Sequence, residues 1–275
     1  MSKYDERNKL NDLTGKEWLK LMVSFWMTEK CKEDKDAMKH PAPFLIKDTE
    51  KLISLFTKKG MKVLDMFCGS GTTLLSACNL GRFGIGIDLN VNYKELALSR
   101  LNKLHYKEYS DYEYIVGDSL EEIDLLQYKV DYIVTSPPYH NILRNKSEGI
   151  RSDKTNKGFR SSGRVGIEYY SEYENDLGNQ DRYEDFLEKF RSIMQKAYHR
   201  LNEGKYCTII ISDFTVNKKE VNVQGNIIQC MQSIGFEFVG TIILLQPNKP
   251  LYPFGYPYAY KINHHHQNMI NFRKK

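Results

Sequence analysis

Ser136-Pro137-Pro138-Tyr139 is the segment of this chain best equipped for chemistry. It follows the apolar run Val130-Asp131-Tyr132-Ile133-Val134-Thr135, which reads as a buried strand. Neither proline has an N–H to donate, so the strand cannot continue through them. The chain must leave the sheet in a stiff, extended turn whose carbonyls are left to accept bonds from a ligand. A serine hydroxyl stands before the prolines and an aromatic ring after them. That combination suits a planar base carrying an NH2 group, with acceptors for the amine and a ring face for stacking. The plain alternative is a proline-rich turn capped by a buried tyrosine.

A second set of residues lies upstream. Lys62 to Met66 reads as a strand running into Phe67-Cys68-Gly69-Ser70-Gly71-Thr72-Thr73, a glycine turn that opens a helix. Gly69 and Gly71 permit positive φ and close approach of the backbone to a ligand. The next strand, Phe83 to Ile87, ends on Asp88, where an acid can hold both ribose hydroxyls of a nucleoside cofactor. Gly117-Asp118-Ser119 closes a third strand, and Asp118 is placed to accept from an adenine amino group. A dinucleotide site follows the same logic, but Leu74 stands where its third glycine belongs. Each acid alone also reads as a helix N-cap.

Together these residues resemble the S-adenosylmethionine-dependent amino-methyltransferases of DNA, which make N4-methylcytosine and N6-methyladenine. Phe67-Cys68-Gly69-Ser70-Gly71 looks like the family's cofactor motif and Ser136-Pro137-Pro138-Tyr139 like its catalytic motif. His40-Pro41-Ala42-Pro43-Phe44 looks like the short segment that helps hold the methionine end of the cofactor. The resemblance runs from about Leu13 to the C-terminus, with the cofactor motif preceding the catalytic one. It implies S-adenosylmethionine as cofactor, held by His40, Pro41, Asp65, Phe67, Gly69, Gly71, Thr72, Asp88, Asp118 and Ser119. It also implies DNA as substrate, with room for a cognate restriction endonuclease as partner in a restriction-modification system. Members with serine before Pro-Pro-Tyr mostly modify cytosine, so cytosine N4 is the expected target and adenine N6 the alternative. Ser136 Oγ and the Pro137 carbonyl would accept from the target amine, Pro138 would stiffen the turn and Tyr139 would stack on the base. The base must leave the duplex, where its amine is engaged in pairing.

A chain of 275 residues can bury a substantial core in one domain and so hold these residues in place. Lys+Arg 40 against Asp+Glu 35 is mildly basic, compatible with nucleic acid and not diagnostic of it. No run reaches a membrane span and Met1 to Asp5 opens no signal peptide, so a cytoplasmic protein is expected, as a monomer or homodimer. The five cysteines form no CxxC pair, which argues for reduced thiols and no metal site. None follows a proline, so a covalent C5-cytosine route has no candidate nucleophile. Transfer to an exocyclic amine needs none.

Strand–helix alternation predicts an α/β fold, a seven-stranded, mostly parallel, doubly wound sheet of the Rossmann-like methyltransferase type with an antiparallel last strand. Helices are expected at 16–28, with Thr14 as cap, and at 48–58, 71–80, 91–104, 119–126, 182–201 and 219–233. Strands are expected at 62–66, 83–87, 113–117, 130–135, 205–211, 236–246 and 267–273. Asp65, Asp88, Asp118 and Thr135-Ser136 then fall at strand C-termini, where ligands bind on such sheets.

Two regions interrupt the pattern. Residues 140–181 form an inserted loop, and its first part holds Arg144, Lys146, Arg151, Lys154, Lys157, Arg160 and Arg164 against Glu148 and Asp153. Such a loop after the catalytic turn is expected to bind DNA phosphates, the alternative being a solvated insertion without a partner. Residues 247–266 hold Tyr252, Phe254, Tyr256, Tyr258 and Tyr260, which either stack on bases or pack over the sheet. His264-His265-His266 is expected to contact solvent or phosphate rather than a metal. Three rival functions stay open: an RNA or protein-amide methyltransferase, a non-catalytic DNA-binding subunit and a nicotinamide oxidoreductase.

Overall fold

The structure is a computed structural model that describes residues 4–37, 40, 44–140, 171, 173–217 and 219–275. The strands are β1 (Phe25–Met27), β2 (Lys62–Asp65), β3 (Phe83–Asp88), β4 (Tyr112–Val116), β5 (Val130–Thr135), β6 (Leu201–Ile211), β7 (Thr215–Val216), β8 (Lys219–Glu220), β9 (Phe236–Leu245) and β10 (His266–Lys274). The helices are α1 (Gly15–Leu21), α2 (Ile46–Phe56), α3 (Thr72–Asn79), α4 (Val91–Lys103), α5 (Ser119–Leu125), α6 (Tyr183–Arg200) and α7 (Val223–Ile234). Eight strands form one sheet in the order β1-β9-β10-β6-β5-β2-β3-β4. β5, β2, β3 and β4 pair in parallel, β6 joins β5 in parallel, and β10 runs antiparallel to both β6 and β9. The mostly parallel, Rossmann-like sheet with its antiparallel last strand is therefore as expected, with one short strand added at the edge.

That edge strand corrects the first helix. The helical spacing of Trp18, Leu21, Met22 and Phe25 predicts a helix to Thr28, but α1 stops at Leu21 and buries none of its residues. Thr14 and Glu17 do form a capping box at its start. Beyond Met22 the aromatic Phe25-Trp26-Met27 stretch pairs with Ile243–Leu245 instead. Trp26 becomes a core residue at 5% exposure, and its Nε1–H donates to the Leu21 carbonyl at the helix end. Edge pairing plus burial of one indole outweighs a helical periodicity that had nothing to pack on. Likewise the helix expected from residue 219 begins at Val223, because Thr215–Val216 and Lys219–Glu220 form a hairpin and Asn222 caps α7.

Helices cover both faces of the sheet. Phe186, Phe190, Met194 and Ala197 of α6 and Val223, Ile227 and Met231 of α7 bury their apolar stripes against Ile133, Ile209 and Ile270 on one face. On the other, Leu52, Ile53 and Phe56 of α2 pack on Val63, Tyr132 and Val134, while Leu74 and Leu75 of α3 meet Ala97 and Leu101 of α4. β5 is buried on both sides, so it reads as a continuous apolar run and holds the Ser136 turn at a rigid place. Among the described residues no helix is long and apolar enough to cross a membrane.

Candidate active site

The carboxyl ends of β2, β3, β4 and β5 converge on one open cavity. His40, Phe67, Gly69, Thr72, Asp88, Asp118 and Ser119 line it together with Ser136, Pro137, Pro138 and Tyr139. The two motifs separated by more than sixty residues of sequence thus share one space. Asp65 and Gly71 are not among the lining residues. Pro41 and the seven basic residues from Arg144 to Arg164 lie outside the described residues.

The glycine turn is built by packing as much as by freedom of φ. Gly69 has φ +50°, and a Cβ there would stand 2.9 Å from His40 Nε2. Gly71, at φ +75°, caps α3, and a Cβ there would stand 2.6 Å from the Ala97 Cβ of α4. Gly71 is thus required by the approach of two helices rather than by a ligand. Arg100 locks the turn from behind, donating through Nη1 to the Ser70 carbonyl (2.6 Å) and to Thr72 Oγ1 (2.9 Å).

Asp88 presents a carboxylate to the cavity. Its oxygens accept from the backbone N–H of Gly69 (2.7 Å) and of Asn90 (2.9 Å), which fixes its orientation and leaves lone pairs for a diol. Burial pushes its pKa up to about 7, helped by the charges of Asp176 and Asp65 and opposed by those two N–H bonds. Asp118 caps α5 by accepting from Leu120 N–H (2.9 Å) through Oδ1 while still lining the cavity, so the capping and ligand roles are compatible. Ser119 Oγ donates to the Met66 carbonyl and ties α5 to the end of β2.

Asp65 works differently. It is 1% exposed and accepts from Thr73 Oγ1 (2.5 Å), Thr135 Oγ1 (2.6 Å) and Phe67 N–H (3.1 Å). Burial still raises its pKa despite these donors. Thr73 belongs to α3 behind the glycine turn, and Thr135 is the last residue of β5 before Ser136. Asp65 therefore braces the two turns against each other from behind the cavity.

Tyr139 is held as tightly. Its ring is 6% exposed and stacks on Phe214 with centroids 5.8 Å apart. Its hydroxyl accepts from Ser212 N–H (3.0 Å) and from Gln267 Nε2 (3.1 Å), linking the Ser136–Tyr139 turn to the ends of β6 and β10. One face of the ring packs on Phe214, so only the remainder bordering the cavity is available to a ligand.

Sequence reasoning missed the opposite wall. Ser171, Asn175, Asp176 and Leu177, read as part of the polar insertion, line the cavity together with Tyr93 of α4. Asp176 is 3% exposed, accepts from Ser171 Oγ (2.6 Å) and Gly178 N–H (2.8 Å), and opens a short helical turn. Asp-Leu-Gly is an Asx-turn pattern that marks order inside an otherwise polar stretch. Tyr93 stacks edge-on against His40 at 4.4 Å. Cys68 also lines the cavity, but burial and the nearby Asp65 and Asp88 push its thiol pKa well up, which keeps it protonated and non-nucleophilic.

Comparison with known proteins matches residues 1–99 and 130–275 to the family described as DNA methylase, the N6/N4 methyltransferases. Type II methyltransferase M2.DpnII of Streptococcus pneumoniae is 40% identical over 99 residues, covering 36% of this chain and 35% of the relative. Type II methyltransferase M2.LlaDCHI of Lactococcus lactis subsp. cremoris is 44% identical over 101 residues, again 36% and 35% of the two chains. The matched stretches thus span about a third of these relatives' lengths. Among solved structures, TrmN from Thermus thermophilus shares the fold, with a TM-score of 0.53 at 14% identity over 89% of this chain and 52% of that one. The chain belongs to the N6/N4 DNA methylase family. Fold and family imply S-adenosylmethionine as methyl donor. The cavity fits it: Asp88 offers a carboxyl group oriented for a diol by two backbone N–H bonds, and Asp118 and Ser119 line the same space beside it.

Proposed function

We propose that this member of the N6/N4 family methylates an exocyclic amine of a DNA base, cytosine N4 in preference to adenine N6. The observation that carries the reading is the shared cavity, with the Ser136–Tyr139 turn and the Gly69–Asp88 cofactor site facing the same space. When bound, S-adenosylmethionine would supply an electrophilic methyl group on a sulfonium. The chain's own residues supply position. Asp88 would hold the ribose, Asp118 and Ser119 the adenine, and His40, Thr72 and the Gly69 turn the methionine end. Ser136 Oγ and the Pro137 carbonyl would accept from the two N–H groups of the target amine and turn its lone pair out of the ring plane. Pro138 keeps those acceptors in place, and Tyr139 borders the base. No strong general base is needed, because the proton can leave after transfer.

Support for DNA over RNA or protein comes from the family and from the relatives described as Type II methyltransferases. Cytosine is favoured by Ser136, a neutral hydroxyl before the prolines. We assign phosphate contacts to Arg144, Lys146, Arg151, Lys154, Lys157, Arg160 and Arg164, seven basic residues that follow directly on the catalytic turn. A methyl-transfer assay with labelled S-adenosylmethionine on DNA, RNA and protein fractions tests the substrate class. Label in DNA alone is expected, and label in RNA or protein alone would refute it. Changing Arg151, Lys154 and Arg160 together to Ala should lower the slope of log affinity against log salt by about 0.9 per lost duplex contact while leaving cofactor affinity unchanged.

A further inference from the structure

The insertion between β9 and β10 projects from the same edge of the sheet as the catalytic turn. β9 runs parallel to β6 and β5 through the intervening antiparallel β10, so the end of β9 and the start of β10 both lie at the carboxyl edge where Ser136 sits. Its base is fixed to the site. Gln246 Nε2 donates to Gln267 Oε1 (3.0 Å), and Gln267 Nε2 donates to the Tyr139 hydroxyl (3.1 Å). Its neck is closed by Asn263, which accepts from Tyr252 N–H (3.0 Å) and donates to the Tyr252 carbonyl (2.9 Å). Beyond that clamp Tyr258 and Ala259 both donate backbone N–H bonds to the Gly255 carbonyl. The tip is thus ordered by its own backbone, not by packing over the sheet.

What this ordered tip presents is apolar and in water. Tyr258 is 91% exposed, Tyr260 90% and Tyr256 76%. Aromatic rings left this bare on a built loop mark an interaction surface rather than chance exposure. Charge says what kind. From Phe238 to Lys275 the chain has no Asp or Glu, while Lys249 and Lys261 flank the tip. Rings with polar edges on an acid-free loop fit a strand of bases on a polyanionic backbone better than an apolar protein groove.

We propose that the 251–262 finger stacks on unpaired bases of the strand carrying the target, beside the extruded nucleotide. Tyr258 and Tyr260 are the platforms, and the Gln246–Gln267–Tyr139 bonds register the finger to the catalytic turn. This rests on the DNA reading above. The test measures binding of the full chain to a fluorescently labelled single strand and to its duplex by anisotropy over a salt series, with S-adenosylmethionine titrations alongside. Changing Tyr258 and Tyr260 together to Ala should weaken single-strand binding about tenfold or more, on the scale of one lost base–ring stack. The salt slope should not move, because no charge is lost. Changing both to Phe should preserve binding, since the ring faces remain. Unchanged affinity in the Ala variant overturns the proposal. So does equal loss in the Phe variant, which would assign the contact to hydroxyls, or a dimer of the wild type that the Ala variant dissociates without loss of DNA binding. If the wild type binds S-adenosylmethionine but neither form of DNA, the DNA reading itself fails, and the finger with it.

Discussion

Asp65 at the end of β2 and Asp88 at the end of β3 stand on neighbouring parallel strands at the same edge of the sheet. Asp65 commits its carboxylate to Thr73, Thr135 and Phe67, and none of it reaches the cavity. Asp88 takes two backbone N–H bonds and keeps an open edge. The same residue type at the same kind of position serves as an internal brace in one case and as a ligand-facing group in the other. The difference is made by hydroxyls from α3 and β5, eight and seventy residues away in sequence, which only the folded sheet brings to Asp65.

The largest effect that would sharpen this contrast is at Asp65. Asp65→Ala leaves two buried hydroxyls and one part-buried N–H without an acceptor, at about 1–3 kcal/mol each, so a loss of roughly 3 kcal/mol or more of stability is expected in denaturant unfolding. A wild-type midpoint would break the brace assignment. Asp88→Ala should lose less stability than Asp65→Ala, since it strands two part-buried N–H groups and no buried hydroxyl while removing a carboxyl whose charge burial disfavours. It should lose about a hundredfold or more in S-adenosylmethionine affinity by calorimetry, since two charge-assisted bonds are worth roughly 1.5–3 kcal/mol each. Loss of stability equal to that of Asp65→Ala would erase the contrast.

Next comes Tyr139. Tyr139→Ala should lower methyl transfer far more than cofactor binding. Tyr139→Phe keeps the ring but strands the buried Ser212 N–H, so it should retain more activity than Ala while losing about 1–3 kcal/mol of stability. Full activity and stability in the Phe variant would show the hydroxyl pins to be incidental. The smallest effect is in pH. With its pKa raised to about 7, Asp88 is largely protonated at pH 6 in the free protein and must lose that proton to hold the ribose as a carboxylate. Cofactor affinity should therefore fall as pH drops through 7, by about tenfold at one unit below. Above pH 7 it should level off. Asp88→Asn should bind more weakly above pH 7 and lack that slope; a slope that persists would place the titration elsewhere, with Asp176 the next candidate.

The elements that carry strong local signals were legible. The Thr14 cap, the apolar β5 run and the acids at strand ends are local patterns, and each is found where it was read. What the sequence did not show depends on distant partners. Phe25–Met27 becomes a strand only because β9 offers an edge, and Asp176 joins the site only because residues 175–177 come to line it. Aromatics at 247–266 read equally as cover for the sheet or as a stacking surface; their exposure at the tip comes from the Asn263 clamp.

The central claim is that one cavity brings a sulfonium methyl group to an exocyclic amine held by the Ser136–Tyr139 turn. Mass spectrometry of nucleosides from DNA treated with the enzyme and deuteromethyl-labelled S-adenosylmethionine tests it most directly. Labelled N4-methylcytosine is the expected product. Label only in 5-methylcytosine, or no labelled nucleoside from an enzyme that still binds the cofactor, would contradict the claim, and labelled N6-methyladenine alone would overturn the assignment of cytosine.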